Sequence, residues 1–363
     1  MKSHCIGRVA LVAGALCLAT SMATAQQYTM VTLGFAGYSG TSGGYTGLNN
    51  SGDVVGYDSW TNGAFLYTGG VVTSLGLGYG DGVAINSRGQ VVLQSSTSVH
   101  SYLYTPPNTG HLVDLGTLGG GGGLNNTGQT YAMAMNDSGT VVGSSSYPST
   151  TTPAWHAFAY ANGAISNLGA FTPSGSSTAR GVNAQGQIVG DSWSAGGYDR
   201  AFQMVNGVMT DMDPGNPAYD SQANAINDAG QIVVVTNKAW RQVWINRNKL
   251  LWVAYRGPVS YTLVYNSNGA STDLGNLGPS YGTYGESVNR AGDVVGQTYL
   301  NNVGPRAFLY HAGAMIDLNY HVVNLSGLTL FAGNNINDFG QIVCWARNPD
   351  ETTQIVVLTP VPD

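Results

Sequence analysis

The stretch that decides the fold is Ala179-Arg180-Gly181-Val182-Asn183-Ala184-Gln185-Gly186-Gln187-Ile188-Val189-Gly190, followed by Arg200-Ala201-Phe202-Gln203-Met204-Val205-Asn206-Gly207-Val208-Met209-Thr210-Asp211. It reads as four short strands, at 179–182, 187–190, 200–204 and 208–212. The first turn has Asn at its first position and Gly at its fourth, the type I preference, in which the Asn side chain bonds back to the backbone. The last two strands meet at Asn206-Gly207, the strongest short hairpin signal, and Asn162-Gly163 repeats it one unit earlier. Counting outward from that hairpin opposes Phe202 to Asp211 and places Arg200 diagonally across from Asp211.

Moving outward, the apolar-Asn-x-x-Gly element recurs seven times, at Leu48-Asn49, Ile85-Asn86, Met135-Asn136, Val182-Asn183, Ile226-Asn227, Val288-Asn289 and Ile336-Asn337. The average spacing, about 48 residues, falls in the range of solenoids and propellers, where each repeat is one supersecondary unit. Four antiparallel strands per repeat predict an all-β fold, a seven-bladed β-propeller. The seventh repeat stops without a fourth strand, while Tyr28-Thr29-Met30-Val31-Thr32-Leu33-Gly34 resembles the fourth-strand sequences after Leu112 and Ser271. The N-terminal strand is therefore expected to complete the last blade, which removes an open edge. Two departures are read as an extra loop at about 118–131 and an inserted hairpin at about 237–258.

Residues 1–25 are read as a secretory signal peptide: Lys2 and Arg8, an apolar run from Val9, then Ala23-Thr24-Ala25. The mature chain, 26–363, is expected to be secreted, as one propeller domain with no membrane span. Without the leader, 11 Lys and Arg face 19 acids, a charge of about −8 that argues against nucleic acid as a partner. Cys5 and Cys17 leave with the leader, so Cys344 has no disulfide partner. Cys344 stands where other units have Gly56, Gly143 or Gly296 and reads as a buried small residue.

His156-Ala157-Phe158, Arg200-Ala201-Phe202, Arg306-Ala307-Phe308, Ile85-Asn86 and the Asp-Leu-Gly-Thr-Leu-Gly-Gly run at 114–120 resemble the bacterial HAF-type extracellular repeat family, over nearly the whole mature chain. The resemblance implies an exported repeat protein without a defined activity. Relatives often carry a Pro-Glu-Pro sorting tail, and Thr359-Pro360-Val361-Pro362-Asp363 stops where such a tail would begin.

Two residue sets are candidates for function. His100, His156, Arg200 and Arg306 precede the third-strand apolar pair, with Asp114, Asn167, Asp211 and Asp317 in the following strand. They read first as cross-strand polar pairs, and alternatively as a cationic ring around a central anion channel. The second set is aromatic. Tyr57, Trp60, Tyr147, Trp193, Tyr299 and Trp345 fall after second strands, and Tyr38, Tyr45, Tyr79, Tyr219, Tyr281 and Tyr284 fall between repeats. Both groups belong at one end of a propeller, with the Asn-x-x-Gly turns small and polar at the other. Flat rings with hydrogen-bonding tips suit sugars. The inserted hairpin adds Trp240, Trp244, Trp252, Arg247 and Lys249, a candidate arm for an acidic polysaccharide or lipopolysaccharide phosphate.

Catalytic signals are weak: Glu286 and Glu351 are the two glutamates, and no nucleophile elbow, zinc helix or phosphate loop is present. The oxygens spaced from Asp211 to Asn216 could hold calcium but lack the bidentate Glu of a strong loop, so no cofactor is expected. The reading is a noncatalytic recognition or adhesion module binding carbohydrate or cell-surface glycan. Alternatives are a polysaccharide hydrolase or lyase, and a structural matrix protein that binds other proteins.

Overall fold

The structure is a computed structural model that describes residues 26–33, 45–58, 63–78, 80–95, 97–106, 112–119, 128–148, 154–214, 218–238 and 259–362. Among these residues it holds 28 strands and one short 3-10 turn, Leu318–Tyr320, and no α-helix. The fourth repeat shows the pattern: Ser177–Val182, Ile188–Trp193, Asp199–Val205 and Val208–Asp211 pair antiparallel in chain order. Phe202 opposes Asp211, the register the hairpin dictates. Asn206 and Gly207 both take positive φ, 51° and 79°, as a type I′ turn requires.

Hydrogen bonding groups the strands into six sheets, where the sequence predicts seven. Five have four strands. The sixth has eight, because a single parallel bridge between Ser260 and Gly282 joins the fifth unit to the sixth. The segment expected as loop at 118–131 gives way at Thr130 to a strand, Thr130–Met135; residues 120–127 lie outside the described residues, as do 239–258 of the expected hairpin. Tyr28–Thr32 pairs antiparallel with Thr353–Pro360, from Tyr28 opposite Pro360 to Thr32 opposite Val356. The first described strand is thus the outer strand of the sheet built from the last residues.

The Asn of each turn links neighbouring units. Its Oδ1 accepts from backbone N–H groups of its own turn, as Phe339 and Gln341 donate to Asn337. Its Nδ2 donates to the backbone carbonyl of the Asn in the next unit: Asn49 to Asn86, Asn136 to Asn183, Asn183 to Asn227, Asn227 to Asn289 and Asn289 to Asn337. Asn337 donates in turn to Asn49, at 3.0 Å, joining the last unit to the first. Asn86 is the exception: its Nδ2 goes to Gln90 and lies 3.9 Å from the Met135 sulfur. All seven Asn side chains are buried, so satisfying them is obligatory.

The apolar core lies between adjacent sheets. Val142 and Ala157 of the third unit pack with Val182, Ile188 and Phe202 of the fourth. Within each unit, residue sizes across the second and third strands are complementary. Phe65, Phe158, Phe202 and Phe308 stand opposite Gly56, Gly143, Gly190 and Gly296. A Cβ at Gly143 would come within 2.9 Å of the Phe158 ring and 2.0 Å of the Tyr131 carbonyl. Where the third strand carries a smaller or less buried residue the glycine is replaced: Leu93 opposes Tyr102, Val234 opposes Leu263, and Cys344 opposes Val356. Cys344 is fully buried, as its equivalence with the glycines predicts, and burial pushes its thiol well above the usual range.

Candidate functional site: a cavity on the repeat axis

Each first strand from the second unit to the seventh contains a β-bulge. The ladder skips one residue between Gly82 and Ala84, Ala132 and Ala134, Ala179 and Gly181, Ala223 and Ala225, Gly285 and Ser287, and Gly333 and Asn335. The skipped residues are Val83, Met133, Arg180, Asn224, Glu286 and Asn334. A bulge re-aims a side chain away from the sheet's regular alternation, and all six line one cavity of about 470 Å³, together with Thr46 of the first unit. The floor is apolar, formed by Leu48, Met135, Val182, Ile226, Val288 and Ile336. Beyond that floor lies the Asn belt, with a smaller recess of about 200 Å³ among the turn residues.

First strands run toward the Asn turns and second strands run away, so the cavity opens at the end where second strands finish. Tyr45 lines it and is 41% exposed. Tyr284 and Tyr299 meet edge to face, with centroids 5.7 Å apart. Tyr131 lies 5.4 Å from Trp155. Burial raises the Tyr299 hydroxyl, with Tyr284 and Glu286 adding to it. Burial also raises Tyr45, against a lowering pull from Arg180.

The electrostatics divide into two parts. Arg180 pairs with Asp191 through Nε, and the Gln222 amide, oriented with its oxygen toward the guanidinium, accepts from it as well. Asp199 is raised by burial and by its like-charged neighbours Asp191 and Asp220. Glu286 has no hydrogen bond or ion pair among the described residues. It keeps some surface toward the cavity, but the surrounding protein desolvates its carboxyl and pushes it up to about 7, the Arg180 charge offsetting only part of this. Burial raises Asp81 too. Desolvation combined with a cavity marks functional positions more often than chance.

The cross-strand polar pairs expected from the sequence all meet. His100 Nδ1 is 2.9 Å from Asp114, and His156 Nδ1 is 3.2 Å from Asn167. Arg200 grips both carboxylate oxygens of Asp211 at 3.2 Å and donates to the carbonyls of Tyr219 and Asp213. Arg306 stands 4.0 Å from Asp317. The alternative, a cationic ring around an anion channel, is corrected: these side chains sit between third and fourth strands, whereas first strands line the cavity. Of the oxygens spaced from Asp211 to Asn216, the Asp211 carboxylate and the Asp213 carbonyl accept from Arg200, while Gly215 and Asn216 lie outside the described residues.

The aromatic set divides. Trp193 is 44% exposed. Tyr57 is half-buried at the end of Val54–Asp58, and Tyr147 stacks on His156 at 4.1 Å. Trp345 is a correction. It lies inside the strand Ile342–Arg347, buried against Phe65, Phe331 and Ile355, and presents no face to a ligand. Phe339, 69% exposed, breaks the expectation of a small polar Asn-turn end. Trp60, Trp240, Trp244, Arg247, Lys249 and Trp252, with Tyr38 and Tyr79, lie outside the described residues. The bulge position escaped the sequence reading, although a signal existed: three residues before the repeated Asn stand Thr46, Val83, Met133, Arg180, Asn224, Glu286 and Asn334, a divergent column in a regular strand.

No family model and no curated protein matches the chain. Among solved structures it is similar to a prolyl endopeptidase (12% identity, TM-score 0.49, covering 75% of this chain and 40% of that one). It is also similar to a gluconolactonase from Xanthomonas campestris (9%, 0.42, 92% and 90%) and to Porphyromonas gingivalis dipeptidyl peptidase 4 (10%, 0.43, 88% and 52%). The chain spans less than half the length of the prolyl endopeptidase. Likeness at this level carries nothing about chemistry. Among the described residues no helix is long and apolar enough to cross a membrane.

Proposed function

We propose that the mature chain is a secreted, closed seven-bladed propeller of the HAF-type repeat class, acting as a noncatalytic recognition module for carbohydrate at the cavity end of its axis. The carrying observation is the asymmetry of that axis: one end holds a belt of satisfied Asn side chains, the other a polar cavity lined in part by the half-exposed Tyr45. The pairing of Tyr28–Thr32 with Thr353–Pro360 and the Asn337 to Asn49 bond support closure. A cavity of this volume falls in the range of small-ligand sites. Export follows from the leader sequence, and other matrix proteins are a second class of partner. The test is a glycan array, acidic exopolysaccharides included, probed with the chain from Gln26. Binding without product release supports the reading; absence of any glycan binding overturns it. Trp244→Ala with Arg247→Ala on the same array tests the proposed acidic-glycan arm.

A second reading, a polysaccharide-active enzyme, is favoured by Glu286. A carboxyl held near pH 7 in a cavity suits a general acid. New reducing ends or unsaturated sugars released by the wild type and not by Glu286→Gln would establish it in place of recognition.

A further inference from the structure

The axial cavity is shut on its turn side. Leu48, Met135, Val182, Ile226, Val288 and Ile336, from six different units, line both the cavity and the recess beyond it, and Ile85 of the remaining unit joins them in the recess. These aliphatic side chains therefore stand between the two spaces. A hydroxylated chain crossing that ring would give up hydrogen bonds to water and gain none in return. The cavity is thus blind, with its mouth at the end where second strands finish.

Above the ring the wall is polar in both senses. Tyr45, Thr46 and Ser287 carry hydroxyls, Asn224 and Asn334 carry amides, and Glu286 a carboxyl. Hydroxyls and amides both donate and accept, so the wall suits hydroxyl groups, which do the same. The Thr46 hydroxyl accepts from Asn335 at 3.0 Å and the Ser287 hydroxyl from the Ile336 N–H at 3.3 Å, and each keeps its own proton to donate.

Aromatic pairs stand farther toward the mouth. Tyr131 and Tyr284 come two residues before the bulged Met133 and Glu286, on strands that run toward the turns. They are therefore about 7 Å farther from the floor, beyond the cavity lining. Tyr131 meets Trp155 at 5.4 Å and Tyr284 meets Tyr299 at 5.7 Å, with all four rings half-buried. Tyr131 also adds to the raised hydroxyl of Tyr45, which does line the cavity. The two pairs belong to the third and sixth units.

We infer that the cavity receives one end of a glycan chain, with the terminal sugar seated above the aliphatic ring and the second sugar leaving past Tyr131 and Trp155. The inference rests on the carbohydrate reading above and narrows it to chain ends, because an internal sugar would need two exits and a blind cavity has one.

The test is titration calorimetry of the mature chain with dextran, xylan and alginate, each offered at equal mass as long polymer and as oligomers about one-tenth as long. The oligomers carry about ten times more ends per unit mass, so the polysaccharide that binds should half-saturate the protein at about tenfold less mass as oligomer. Met133→Trp fills the cavity and should weaken oligomer binding at least about tenfold; Tyr131→Ala should weaken it about threefold to fivefold through stacking lost from the second sugar. Circular dichroism checks both variants, and the polymer comparison on wild type needs neither. Equal binding of polymer and oligomer per unit mass, or unchanged binding by folded Met133→Trp, overturns end seating and leaves carbohydrate recognition standing. Unchanged binding by folded Tyr131→Ala overturns the path past the third unit. Binding of no polysaccharide overturns both readings.

Discussion

The two ends of the repeat axis are built from the same strands and differ in how strictly the repeat is kept. At the turn end the Asn recurs in all seven units, and six of them donate to the next unit's backbone. At the cavity end the bulged residue is different in almost every unit. The belt can serve six of the seven interfaces because the geometry it satisfies is backbone geometry, which recurs from unit to unit. The bulge residues share no contact common to the units, Arg180 pairing with Asp191 and Asn224 donating to the Gly285 carbonyl, so the position is released from that constraint and can diverge. On the proposed function, assembly and recognition are thereby separated along about one strand length.

Breaking the belt should give the largest effect. Asn337→Ala removes bonds to two turn N–H groups, to Gln341 and to the Asn49 carbonyl. At about 1 kcal/mol each, the loss should be about 3 to 4 kcal/mol in chemical denaturation. Glycan affinity of the folded fraction should not change; a change would mean that the ends are coupled.

Glu286 is expected to act on stability through pH. Its folded value, about 7, lies above the model-compound value of 4.5. The folded state therefore holds the proton more tightly, and the stability associated with this group is full below about 4.5, declines as pH rises and is gone above about 7. The loss is at most about 3 kcal/mol. Glu286→Gln should thus stabilise the protein at pH 8 and leave it unchanged at pH 4, read as the difference between urea midpoints of the two proteins. A difference that does not vary with pH would show that the carboxyl is not desolvated.

A finer contrast lies within the belt. Asn86 lacks the bond to the next unit, so Asn86→Ala should destabilise by about 1 kcal/mol less than Asn183→Ala. Equal losses would mean that the inter-unit bond adds nothing. Smallest in stability is Tyr45→Ala at the cavity mouth, within about 1 kcal/mol of wild type, with glycan binding weakened about fivefold if the ring stacks on sugar.

The turns, the hairpins and the opposition of Phe202 to Asp211 were legible because each depends on residues close in sequence. Pairing of Arg200 with Asp211 followed from that register. Trp345 was misread as a loop residue because position in the repeat suggested exposure; the second strand of the seventh unit runs on to Arg347 and turns the indole against Phe65 and Phe331 of neighbouring strands. Glu286 was visible only as one of two glutamates. Nothing near it in sequence announces that it shares a cavity with Arg180 and Asn334.

The amino-acid sequence by itself determined the unit: Asn-x-x-Gly and Asn-Gly turns set strand lengths and register through local backbone preferences. Tertiary structure alone decided which side chains meet on the axis. That choice depends on a one-residue bulge repeated across units far apart in the chain, and a bulge acquires a direction only when the units are assembled around a common space.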